Sequence, residues 1–191
     1  ITTKSGKRGE RYNVSYSGYG AISDFAKTAD FMDAAYMRSL GEEMSEYTAF
    51  PDLGEDTDWL GLVSRTGWVQ NHNISLEGGT ESMTYSANVS YRQNEGVIKG
   101  SFANDLRAQM DISQYLFNDI LKVRLNMLKS ISESDNQESE HIYHQAVTRN
   151  PTSPAYTEDG DYFEQSTPLY YYNPLPYITG NEHFGQNRYE S

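Results

Sequence analysis

Polar and apolar positions alternate with a period of two over much of this chain. In the stretch QNHNISLEGGTESMTYSANVSYRQNEG, Gln70 to Gly96, the residues His72, Ile74 and Leu76 share one face. After Gly78-Gly79-Thr80, the side chains of Met83, Tyr85, Ala87, Val89 and Tyr91 fall on one face and Thr84, Ser86, Asn88, Ser90 and Arg92 on the other. That is the period of a β-strand, and the Gly-Gly pair predicts a tight turn at positive φ between two strands. The same design recurs at 11–18 (Tyr12, Val14, Tyr16), at 104–115 (Leu106, Ala108, Met110, Ile112) and at 119–132 (Leu121, Val123, Leu125, Met127). The pattern therefore predicts strands at 11–18, 69–77, 82–92, 104–115 and 119–132, each with an apolar and a polar face.

Between these blocks the alternation lapses. Phe31, Ala34, Ala35 and Met44 recur at helical spacing, which predicts a helix over 28–45 with Thr28 as its cap, and a second helix is expected over 137–148. Residues 149–191 read as loop, rich in Pro, Tyr, Asn, Asp and Gly.

Alternation alone does not choose a solvent for the apolar face, because a half-buried soluble sheet and a membrane barrel share the period of two. Connection length does discriminate. The predicted connections alternate strictly between long and short, which is the pattern of an outer-membrane barrel with tight turns on one side and long loops on the other. A soluble β-sandwich serving as an adhesin or glycan-binding module is the alternative.

Composition sharpens the choice. The net charge is −12, and Leu, Ile, Val and Phe are sparse, but 16 tyrosines and 2 tryptophans supply apolar area on amphipathic rings, unlike a disordered chain. The acid concentrates at 20–60 and 133–191, outside the alternating blocks. A chain this acidic offers no basic patch for phosphates, so a nucleic-acid partner is not expected. There is no cysteine, and no apolar run approaches the roughly 18 residues of a spanning helix.

Candidate chemistry is thin. His141 and His144 stand beside Glu138 and Glu140, and TEDGDYFE at 157–164 gathers carboxylates about a glycine without the ligand spacing of a calcium loop. We expect a loop helix and a turn there, with no metal and no cofactor. No nucleophile and base stand together, so no enzyme is expected. The aromatic run LYYYNPLP, with Tyr170, Tyr171 and Tyr172, and the loop tryptophan Trp59 are the candidate contacts for a ligand or partner, since such rings give flat apolar area at low entropic cost.

Three segments carry a family resemblance. ITTKSGKRG resembles the last plug strand and exit of SusC/RagA-type TonB-dependent outer-membrane receptors. TGWVQNHNISLEGGTESMTYSANVSYRQNEGVIKGS is similar to the first barrel hairpins of that family, and RNPTSPAYTEDGDYFE with the later YYNPL to its Asn-Pro and Asp-Gly loop. Phe102-Ala103-Asn104-Asp105-Leu106 departs from the family, which more often has an Arg-aromatic-Asn run, and local register is what this departure bears on.

The resemblance implies an all-β fold: the N-terminal part of a plugged transmembrane antiparallel β-barrel with long extracellular loops and short helices in the loops. It implies that residues 1–10 end the plug and that 11–191 form about five first strands, with extracellular loops at 19–68, 93–103 and 133–191. It further implies TonB-dependent uptake of a glycan or peptide across the Gram-negative outer membrane. The implied partners are a SusD-like surface lipoprotein, outer-membrane lipid and, through N-terminal parts lying outside this sequence, the TonB complex.

Overall fold

The computed structural model describes residues 7–9, 11–43, 51–135, 139–164, 171–178 and 186–190. Six strands form one antiparallel sheet in chain order: β1 (Asn13–Ser23), β2 (Gly67–Gly79), β3 (Met83–Glu95), β4 (Phe102–Leu116), β5 (Leu121–Asp135) and β6 (Gln186–Glu190). The helices α1 (Ala34–Glu43), α2 (Trp59–Val63), α3 (Ser139–Thr148) and α4 (Leu175–Ile178) all lie in the two long connections.

All five expected strands are present, and each runs further towards the long loops than the alternation indicates, while β1, β3 and β5 begin one or two residues later than expected. β1 continues to Ser23 opposite Gly67 because a backbone ladder does not need apolar side chains, only N–H and C=O groups in register. Its pattern fades at Gly18 and Gly20, where a Cβ would meet the Tyr16 hydroxyl at 2.6 Å and the Trp68 ring at 3.1 Å. Neighbouring aromatic rings thus fill the glycine positions of the strand. The long connections shrink accordingly to 24–66, 96–101 and 136–185, in place of 19–68, 93–103 and the whole of 133–191. At Phe102 to Leu106 the register passes without a bulge, Phe102 facing Glu95 on one side and Asp135 on the other.

Three further expectations are corrected. The last stretch is not all loop, since β6 pairs with the end of β5, Ile131 facing Glu190; its sequence QNRYE has no apolar period to reveal it. Gly78 and Gly79 are not at positive φ and still belong to β2, the turn being closed at 80–82 by Thr80 N–H to Met83 O at 2.8 Å. Both are glycine for space: a Cβ on Gly78 would strike the Tyr85 hydroxyl and one on Gly79 the Lys7 carbonyl, each at 2.5 Å. Finally, α1 starts at Ala34 and its cap is Asp33, which accepts from Tyr36 N–H at 2.7 Å, not Thr28.

The buried apolar core lies outside the sheet. Trp59 and Val63 of α2, Ile98 of the β3–β4 connection, Ile142 and Ala146 of α3 and Leu175 of α4 form one cluster that knits the long loops into a layer at one end of the strands. No large apolar side chain of β1 to β5 is buried: Val14, Tyr16, Ile74, Val89, Leu106, Val123, Leu125 and Met127 are all exposed. Nothing among the described residues covers that face.

Candidate functional site

The sheet has two chemically different faces, and the register fixes both. Across β1 to β5 one line reads Val14, Leu76, Ala87, Met110, Met127, and the next line on the other face reads Ser15, Ser75, Asn88, Gln109, Leu128. The polar face holds itself together by short cross-strand bonds. Ser15 and Ser75 hydroxyls lie 2.6 Å apart, Asn88 Nδ2 donates to Asn73 Oδ1 at 2.9 Å, and Asn126 Nδ2 donates to Asp111 Oδ2 at 3.0 Å. Asp111 also accepts from Arg124 in a forked ion pair, Nε and Nη2 to Oδ2 at 2.9 and 2.5 Å. A concavity of about 480 Å³ opens on this face between Asn13, Ser15, Ser75, Glu77, Asn88 and Asp111. It offers hydroxyls, amides and two carboxylates, and no basic side chain.

On the apolar face one set of polar groups pairs with itself. Tyr16 Oη lies 2.7 Å from His72 Nδ1, and His72 Nε2 lies 3.3 Å from Gln70 Oε1. Such mutual pairing lowers the cost of polar atoms wherever water is excluded.

In the loop layer Arg149 is the organiser. Its side chain is 0% exposed, donates to the Phe163 and Tyr171 carbonyls at 2.6 Å each and to Glu164 at 3.3 Å, and stacks on Trp59 at 4.8 Å. Burial pushes the guanidinium down from its ordinary pKa, and the Glu164 carboxylate opposes that shift. Two Asn-Pro pairs shape the chain around it: Asn150 Oδ1 accepts from Thr152 N–H at 2.8 Å and Asn173 Oδ1 from Leu175 N–H at 3.1 Å, the same side-chain turn made twice. Nearer the rim, Arg38 forks onto Asp52 at 2.9 and 3.2 Å, and this bond with the Gly54 N–H holds the Asp52 carboxyl below its usual range.

The sequence-predicted contacts separate here. Trp59 is 3% exposed and donates Nε1–H to Asn150 O at 3.0 Å, so its ring is occupied within the loop layer itself. Tyr171 is partly buried and tied through its carbonyl to Arg149, Tyr172 is exposed, and Tyr170 lies outside the described residues. His141 packs edge-on against Tyr177, and Glu138 lies outside the described residues. The acidic stretch at 157–164 is a turn in which Thr157 N–H donates to Asp161 O at 2.8 Å and Gly160 takes φ +87°. Sequence reasoning missed Arg149 and Asn150. The repeated Asn-Pro dipeptide was the available signal, and a lone arginine beside it was not.

No family model matches the chain. Among curated proteins it is 28% identical over 163 residues to the TonB-dependent receptor SusC of Bacteroides thetaiotaomicron, covering 85% of this chain and 16% of that protein. It is 29% identical over 147 residues to the TonB-dependent receptor P26 of Formosa agariphila, covering 72% and 14%. The chain is similar to the SusC/RagA-type TonB-dependent receptors. It spans about a sixth of the length of these SusC-like relatives, both of which are named as receptors and not as enzymes. In solved structures the fold recurs in the RagAB peptide importer. The closed-closed state gives a TM-score of 0.59 at 19% identity, over 86% of this chain and 24% of that one. The open-open state gives 0.55 at 20% identity, over 69% and 19%.

Proposed function

We propose that this chain is part of a TonB-dependent receptor of the outer membrane, with residues 1–10 ending the plug and 11–191 supplying the first barrel strands and their extracellular loops. The whole receptor takes up a nutrient, a glycan or a peptide, with a SusD-like lipoprotein on its outer side and the TonB complex on its inner side. The observation that carries this reading is the uncovered apolar face beside a loop layer that has a well-packed core of its own. Water tolerates scattered apolar residues but rarely a contiguous face of this extent, whereas lipid requires one.

The slant of that face supports the same reading. On β5 the apolar run is Leu121 to Met127 and ends at Lys129, while on β1 it reaches up to Ile22 beside Trp68. The register carries Met127 through Met110, Ala87 and Leu76 to Val14, near the low end of the β1 run. Centre to centre the band drops by roughly six residues, about 20 Å, over four strand spacings of about 4.8 Å, a slant of roughly 45°. A horizontal lipid slab crossed by strands tilted about 35–45° produces that offset.

Tyr170, Tyr171 and Tyr172 are the proposed contact for partner or substrate. Replacing Tyr170, Tyr171 and Tyr172 together by Ala in the full-length receptor should weaken co-purification with the SusD-like lipoprotein, at about 2 kcal/mol for each ring that acts as a buried anchor. Assembly of the barrel should be unaffected, since the Tyr171 carbonyl that Arg149 uses is backbone. Surface proteolysis of intact cells supplies the control. Cleavage at the 80–82 turn, with none within 136–185, would invert the proposed topology and overturn the reading.

A further inference from the structure

The exit segment at residues 7–9 lies across both short turns of the sheet. Gly9 N–H donates to Thr80 O at 3.2 Å, and the Lys7 carbonyl occupies the space that a Cβ on Gly79 would need. Arg8 reaches the β4–β5 turn, where Nη1 and Nη2 donate to the two oxygens of Asp119 at 2.6 and 2.7 Å. Its guanidinium stacks on the Tyr115 ring at 3.5 Å, and Lys122 approaches that ring at 5.1 Å.

The turn that presents Asp119 is strained. Phe117, Asn118 and Asp119 take φ of 55°, 54° and 71°, three consecutive non-glycine residues in the left-handed region. Asn and Asp adopt that region readily, so the cost falls on Phe117, and it persists where the surroundings over-determine the turn. What it achieves here is a carboxylate aimed at the exit chain, in the planar two-bond geometry that a guanidinium matches. Arg8 in turn holds the Asp119 carboxyl below the ordinary carboxylate range. Asp119 thus stays ionised above its unfolded pKa, and its charge is lost only as pH falls through the depressed value.

We propose that this clamp is a mechanical stop at the end of the plug: force arriving along the chain is taken up by Arg8 on Asp119 and Tyr115 before it reaches the barrel wall. The proposal rests on the receptor reading above. Its physical logic is mechanical. β1 begins at Asn13, five residues beyond Arg8, and a pull on an unclamped exit would open the β1–β2 ladder from its end, one bond at a time. With the clamp closed, two hydrogen bonds and a stacked ring must yield together before any ladder bond is loaded.

Single-molecule pulling on the N-terminus of the full-length receptor in lipid tests this without a substrate. The expected trace shows plug extension, then a distinct rupture at a contour length ending near residue 8, then stepwise extraction of strands from residue 13 onward. Arg8→Ala and Asp119→Ala should each abolish the rupture near residue 8, and the exchange Arg8→Asp with Asp119→Arg should restore it in part. A native trace without that event, or one that persists in both single variants, would overturn the proposal. Absence of the strand-extraction steps would instead overturn the receptor reading, so the two failures are distinguishable.

Discussion

Arg149→Ala should dismantle the loop layer while leaving the strands intact. The change removes a fully buried guanidinium that serves two carbonyls, one carboxylate and the face of Trp59. The Tyr171 carbonyl, left unpaired, costs about 1–3 kcal/mol, whereas the Phe163 carbonyl keeps its bond from Asn173 Nδ2 at 3.2 Å, and breaking a buried charged pair costs about 3–5 kcal/mol. Glu164 is half exposed and can turn to water, which places the total near the lower end, about 3 kcal/mol. Arg149→Lys should recover little, because one ammonium cannot give the same fork to the Phe163 and Tyr171 carbonyls. Hydrogen exchange on the full-length receptor should show protection lost at 139–164 and 171–178 and retained through β2 to β5. Equal loss in both regions would mean that the loop layer and the sheet fold as one unit.

A charge placed on one side of β3 should be tolerated and on the other rejected. Ala87 belongs to the apolar line between Leu76 and Met110, and Asn88 to the polar line between Ser75 and Gln109. On the proposed receptor reading, Ala87→Arg puts a guanidinium into lipid near mid-depth, at about 2–4 kcal/mol, while Asn88→Arg points into a wet interior and costs much less. The fraction of receptor that keeps its folded, heat-sensitive mobility on a gel reports the difference. Similar losses in the two neighbours would show that the assigned facing is wrong.

How much of this was legible in the sequence depends on whether a residue acts locally or through the chain as a whole. The faces of β2 to β5 were readable because the period of two follows from local geometry. Strand ends were not, because the ladder pairs Gly20 and Gly67 through backbone groups, with no apolar side chain to mark them. Gly78-Gly79 suggested a positive-φ turn, but its reason is the close passage of Tyr85 and of the exit chain, which no local pattern encodes. Trp59 was recognisable as an aromatic in a loop, but its burial depends on Arg149 and Asn150, some ninety residues away. The Arg8 clamp was invisible for the same reason: its partners are 107 and 111 positions downstream.

The central claim is that the apolar face of this sheet meets lipid. Single cysteines can be introduced and spin-labelled one position at a time along β3, from Thr84 to Arg92, in a full-length receptor from which any cysteine outside these 191 residues has been removed, in bilayers. Collision with lipid-soluble oxygen and with a water-soluble nickel chelate then reports the surroundings of each label. The account predicts opposed oscillations of period two, with oxygen favoured at Tyr85, Ala87, Val89 and Tyr91 and the chelate at Ser86, Asn88 and Ser90. Labels at Ala87 and Val89 that are shielded from both reagents, as in the core of a soluble sandwich, would contradict it.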